Sequence, residues 1–316
     1  MERLMQQTQT PSIANNTYAW VAFWLRIGLG SVFIIGGIAK LERLLNPDKA
    51  FGIVTEYVGP LGYINETFMK WLFSGNFPAW FTPWSFLTTL SAFELISGMM
   101  LVAGLLIRPL AVFWALLLWS FIFSLPVVTT PGIALTSPTY TSPAMFVQVR
   151  DIALSGFFFV LYFIGAGKYS VDANFFKLPA SQLQAWDNAG LLLRASLAVV
   201  LLIGGLFHGY GKIMSFGMPA LLLNILGLGV IAGGVLTRFS AACICALLLW
   251  YLASKLGDAK SVIGYFNSVK REFGLLSAAG IVSVLGGGQY FAIQNSWKSL
   301  RNTMNIYTRR NVTNGA

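Results

Sequence analysis

The stretch Glu94-Leu-Ile-Ser-Gly-Met-Met-Leu-Val-Ala-Gly-Leu-Leu-Ile-Arg108 belongs to an apolar segment with an acid near its middle and a base at its end. At helical spacing Glu94, Gly98, Leu101, Leu105 and Arg108 share one face. A carboxylate at mid-bilayer costs about 2.5–3.5 kcal/mol on insertion scales, so Glu94 requires a partner. The same frame recurs further on, with Asn224, Gly234 and Arg238 where Glu94, Gly104 and Arg108 stand. This predicts a duplicated membrane protein whose first half keeps a charge that its second half has neutralised.

Composition agrees with a membrane setting. Of 316 residues, 56% are hydrophobic and 10% charged, and mean hydropathy is +0.69, well above a soluble domain's usual apolar share. The net charge of +10 sits singly at the ends of apolar runs and forms no basic face, which excludes nucleic acid and favours membrane anchoring and anionic ligands. Cys243 and Cys245 lie on different sides of one helix, so no disulfide joins them. With His208 the single histidine, bis-histidine haem ligation within the chain is excluded, and any metal or haem is expected on a partner chain.

Taken in order, residues 1–17 are polar and without an apolar core, so no cleaved signal is expected. Spans are expected at about Ala19–Leu41, Ser85–Leu106, Leu110–Val128 and Met145–Gly165, then at Leu191–Gly209, Met218–Leu236, Ser240–Leu256 and Phe273–Phe291. The aromatic-rich segment 42–84 is amphipathic and predicts short helices lying on the membrane surface. The expected organisation is a polar N-terminal segment 1–17, a first four-helix unit 18–173 with the insertion 42–84, a polar linker 174–188, a second unit 189–293 and a basic tail 294–316 carrying Lys298, Arg301, Arg309 and Arg310. Eight spans put both termini on one side, and the basic tail favours the cytoplasmic side of the cell membrane.

The repeat is the main organising signal. Arg26 through Gly36-Gly37 matches Arg194 through Gly204-Gly205, and Arg150-Asp151 through Gly165, Gly167 and Tyr169 matches Arg271-Glu272 through Gly286, Gly288 and Tyr290, at identical spacing. The fold class is therefore all-α integral membrane, with eight transmembrane helices as two tandem four-helix bundles in parallel-repeat orientation. Only about 13 apolar residues separate Arg150-Asp151 from Gly165, roughly 20 Å of helix, so that pair lies below the outer interface. A four-helix unit can gather Lys40, Glu94, Arg150 and Asp151 into one outward-opening pocket; the same charges also suit a buried structural pair between Arg150 and Glu94. Arg26, Arg108 and Asp172 fall nominally at the other end as a structural charge network, with Asp172 as counter-charge. His208 occupies the Lys40 position of the second copy and suits a hydrogen-bonding cap or a proton relay. Trp114 and Trp119 are candidates to flank a quinone ring.

Taken together, Arg26 with Gly37 and Lys40, the Glu94-x3-Gly-x5-Gly-x3-Arg108 run, the third-span start at Ala111, the Gly165-Ala-Gly-Lys-Tyr-Ser-Val-Asp172 ending and the Phe-His208-Gly-Tyr-Gly-Lys212 run resemble the DoxX/DoxD family of membrane proteins. The long aromatic segment before Glu94 looks more like DoxD, the membrane subunit of thiosulfate:quinone oxidoreductase, than like single-unit DoxX proteins. The second copy departs from the pattern at Asn224 and at Ile293, which stands where Asp172 would. The resemblance implies a quinone-linked oxidoreductase subunit acting on a small reduced sulfur anion. On physical grounds Lys40 and Arg150, beside Asp151, suit the binding of such an anion, and Glu94, an acid within the membrane, suits the relay of protons. It also implies quinone as diffusible acceptor and, since no soluble DoxA-like domain is recognisable, other protein subunits. Two further functions stay open: a non-catalytic assembly subunit of a larger membrane complex, and a small-anion carrier.

Overall fold

Proline and glycine punctuate the chain into helices. The computed structural model describes residues 10–58, 62, 64, 66–75, 77–124, 132, 134, 138–139, 142–177, 186–206, 219–288 and 290–291, with side chains from 17 in the first helix and from 149 in the sixth. Among them run α1 (Thr10–Leu44), α2 (Pro47–Val58), α3 (Glu66–Phe73), α4 (Pro83–Ala103), α5 (Ile107–Ser124), α6 (Ala144–Ile164), α7 (Val171–Asn174), α8 (Trp186–Leu206), α9 (Ala220–Ala232), α10 (Gly234–Leu256) and α11 (Val262–Leu285). A two-residue antiparallel pair, Pro138–Thr139 with Ser142–Pro143, precedes α6. Residues Thr17–Leu44, α4, α8 and α10 are each long and apolar enough to cross a bilayer, while the apolar stretch of α5 and α9 are shorter. The chain is a multi-pass helical membrane protein.

Local chemistry sets the helix ends. Thr82 and Ser85 cap each other reciprocally at the start of α4, with Pro83 in the first turn. Gly104 ends α4 at φ 78°, a left-handed conformation glycine adopts without penalty. There a methyl group would also overlap the Arg26 guanidinium. Gly165 stops α6 at φ 76° and Gly286 stops α11 at the same angle, so α6 does not continue through Gly165-Ala-Gly.

Several boundaries depart from expectation. α1 already runs from Thr10, inside the polar N-terminal segment. α9 ends at Ala232 because Gly233 and Gly234 both take positive φ (85° and 68°). α11 starts at Val262 rather than Phe273: Ser261 caps it by accepting from Gly264 N at 3.0 Å. Lys270, Arg271 and Glu272 are therefore inside a helix, where hydropathy alone suggests a loop.

The insertion forms two short helices, α2 and α3. α2 and α3 bury Ile53, Val58 and Leu72 against Leu44, Ile64 and Leu87, and leave Phe51, Trp71 and Trp80 exposed. Arg43 at the end of α1 holds α2 through a two-pronged ion pair with Glu56 (2.7 and 2.8 Å), and Trp84 Nε1 donates to Leu44 O at 2.9 Å.

The long helices share one continuous apolar core rather than two separate ones. α1 packs on α4, α5 on α6, α8 on α9 and α10 on α11; the halves join where α1 meets α11 and α6 meets α8. These joining contacts come in matched sets. A methyl on Gly28 of α1 would overlap the Ser277 hydroxyl of α11, and one on Gly156 of α6 would overlap the Ser196 hydroxyl of α8, so small residues permit close helix approach at both seams.

Candidate functional site: a charged cavity between the halves

Lys40, in the last turns of α1, and Glu94, midway along α4, form an ion pair in which both side chains are largely buried. The pair borders a half-enclosed cavity of about 70 Å³ that Asp151, Lys270 and Arg271 also line. Phe33, Leu87, Leu118 and Phe121 supply apolar wall, and Tyr57 and Ile64 of the insertion close over it. The Lys40 ammonium lies 5.7 Å from the Tyr57 ring centre, a cation–π distance. Gly36 leaves the space open beneath, since a Cβ there would stand 3.3 Å from Glu94 Oε2 and 3.4 Å from Lys270 Nζ.

Two further ion pairs cross between the halves. Arg150 Nη1 donates to Glu272 Oε1 at 3.0 Å and Arg271 Nε donates to Asp151 Oδ1 at 2.8 Å. Arg150, Asp151 and Glu272 are buried. Each Arg-acid dipeptide thus gives its base to the other's acid. Lys40, Glu94 and Asp151 come together as expected, and the expectation for Arg150 is corrected. Its guanidinium turns to Glu272, neither pairing with Glu94 nor lining the cavity, because Glu272 is a fully buried carboxylate that needs a cation.

At the other end the charges bond to the backbone. Asp172 Oδ1 accepts from Leu106 N at 2.9 Å and its Oδ2 from Ile107 N at 3.0 Å, capping the start of α5 from a distant part of the chain. Asp172 N donates to Gly104 O at 3.0 Å. Buried Arg26 donates to Tyr169 O at 2.5 Å, and Arg194 makes the equivalent bond to Tyr290 O. Arg108 is exposed beside Gly165 and Arg238 lies beside Gly286, where it donates to Leu285 O at 3.1 Å. The three expected network members therefore share an end, with Asp172 acting as a helix cap as well as a charge.

Trp114 is fully buried, donates to Ser97 Oγ at 3.1 Å and packs on Phe33 with ring centres 3.8 Å apart. Trp119 stacks on Phe123 at 5.7 Å. Neither lines the charged cavity. A second space of about 640 Å³ is an apolar groove walled by Trp20, Trp24, Leu276 and Ile281; the sixteen residues from Trp24 to Lys40 put it about 24 Å along α1 from the charges. His208 lies outside the described residues, as does the basic tail. Lys270 and Tyr57 are lining residues that the sequence reading missed. The signal for Lys270 was its place directly before the repeated Arg271-Glu272; Tyr57 carried none. No cluster of potential metal ligands occurs among the described residues.

The fold and site define a helical multi-pass membrane protein with ion pairs and a polar cavity between its halves. Residues 21–126, about a third of the chain and spanning from α1 past the end of α5, match the DoxX family model. No curated protein and no solved structure matches the chain.

Proposed function

We propose that the chain is the membrane subunit of a quinone-linked oxidoreductase acting on a small reduced sulfur anion of the thiosulfate kind. It would be built as two tandem four-helix units with eight crossings in a cell membrane, both termini cytoplasmic. The observation that carries this reading is the cavity in which Lys40, Lys270 and Arg271 meet Glu94 and Asp151. Three bases against two acids leave a positive excess in a partly enclosed, low-dielectric space, which favours a small anion. Its 70 Å³ suits such an anion, and the quinone would dock beside it or on a partner subunit.

The chemistry balances simply. Two thiosulfate-type anions each lose one electron as a sulfur–sulfur bond forms between them, and one quinone takes those two electrons with two protons to become the quinol. Lys40 and Lys270 would bind and orient the anion, and Glu94, held by Lys40, would pass protons. The DoxX match over α1 to α5 supports this half as the working one. Thiosulfate-dependent quinone reduction by the purified protein in detergent is the test; turnover that vanishes in Glu94→Gln while the protein still melts cooperatively supports chemistry at this site.

A second reading, a non-catalytic assembly subunit, is favoured by one specific observation: Lys40–Glu94, Arg150–Glu272 and Arg271–Asp151 are closed pairs of the kind that fix helix packing. Absence of turnover in every purified preparation, with a partner complex lost on mutating these pairs, would decide for it.

A further inference from the structure

The ion pairs of the cavity leave one charge over. Glu94 pairs with Lys40 and Asp151 with Arg271. Lys270 lines the same space, forms no ion pair among the described residues, and donates its ammonium to the neutral amide oxygen of Asn267 at 2.8 Å. It comes from α11 while Lys40 and Glu94 come from α1 and α4, so it faces them from the opposite half of the chain. An ammonium against Phe33, Leu87 and Leu118 has lost much of its hydration, and a counter-anion in the cavity restores what burial removed.

We infer that Lys270 is the residue that holds a small inorganic oxyanion in this cavity, completing from the second half a site that the first half only begins. The inference rests on the proposed reading of the cavity as an anion site. Lysine meets an anion as a point charge rather than through a planar fork. Arg271, the guanidinium lining the space among the described residues, already directs its Nε to Asp151. The site therefore selects by charge, and a tetrahedral oxyanion fits its 70 Å³. Gly36 is part of the design, because a larger side chain there fills the gap between Lys270 and Glu94.

The test is binding of radiolabelled thiosulfate to the purified full chain in detergent, with sulfate, inorganic phosphate and anionic phosphatidylglycerol vesicles as competitors. Lys270→Gln should weaken binding about tenfold or more, Lys270→Arg should restore most of it, and Gly36→Val should abolish it with every charge retained. Unchanged affinity in Lys270→Gln overturns the inference and leaves the oxidoreductase reading standing; a parent protein that neither binds thiosulfate nor reduces quinone sinks both. Should Lys270→Gln fail to fold, Gly36→Val decides, and parent-like binding in it overturns the assignment. Competition by vesicles but not by inorganic anions would mean a lipid phosphate is the occupant, which also overturns it.

Discussion

The two ends of the bundle treat charge differently. At the Asp172 end, charged side chains bond to backbone groups, and the arginine part of the arrangement is present twice, Arg26 with Tyr169 O and Arg194 with Tyr290 O, while Ile293 stands where Asp172 would. At the Glu94 end, charged side chains bond to one another, and the two halves are not equivalent, since Asn224 stands where Glu94 does and its buried Oδ1 has no hydrogen-bond partner among the described residues. Arginines that hold backbone carbonyls thus recur at matched positions, as do the crossed Arg-acid pairs at the other end. Lys40, Glu94 and Lys270, which have no charged counterpart at the matched positions His208, Asn224 and Val149, gather around the cavity.

Four substitutions probe that division, the largest effect first. Arg150→Met leaves Glu272 buried without its cation and should destabilise by about 3–5 kcal/mol, read as a lowered unfolding midpoint in detergent; combining it with Glu272→Gln should recover part of the loss. Glu94→Gln should lower quinone reduction about a hundredfold or more with a smaller shift in midpoint, and full turnover would show that the asymmetric end has no catalytic part. Asp172→Ala removes both acceptors at the start of α5 and should cost about 2–3 kcal/mol, with thiosulfate affinity preserved in whatever folds. A selective loss of affinity at normal stability would break the distinction between the ends. Asn224→Leu should change stability by less than about 1 kcal/mol and turnover not at all; sensitivity comparable to Glu94 would mean that both halves work.

Much of this arrangement could be read from residue order. An acid inside an apolar helix demanded a partner and Lys40 closed the preceding span on the same side; the sequence placed both in one pocket but offered Arg150 as the pairing base, and it is Lys40 that pairs. The repeated Arg-acid dipeptides marked equivalent places, and the positive-φ glycines fell where the repeat put them. Partner choice was not legible. Arg150 and Glu272 are 122 positions apart, and nothing local distinguishes Glu272 from Glu94 as the acid it takes. Asp172 was read as a counter-charge because backbone N–H groups leave no mark in a sequence. Lys270 was missed for a related reason: three adjacent charged residues lower hydropathy enough to resemble a loop, whereas the Ser261 cap starts the helix ahead of them and Arg271 and Glu272 find partners across the seam.

The crossed ion pairs and the mirrored glycine–serine seams carry a consequence for how such a chain comes together. Each half presents the complement of the other, so two separate chains could in principle find one another, but only at a rate set by their dilution in the bilayer. Covalent linkage replaces that encounter with an effective concentration on the order of millimolar. The same tether lets the two halves differ, because neither must recognise itself, and Lys270 of one can face Glu94 of the other.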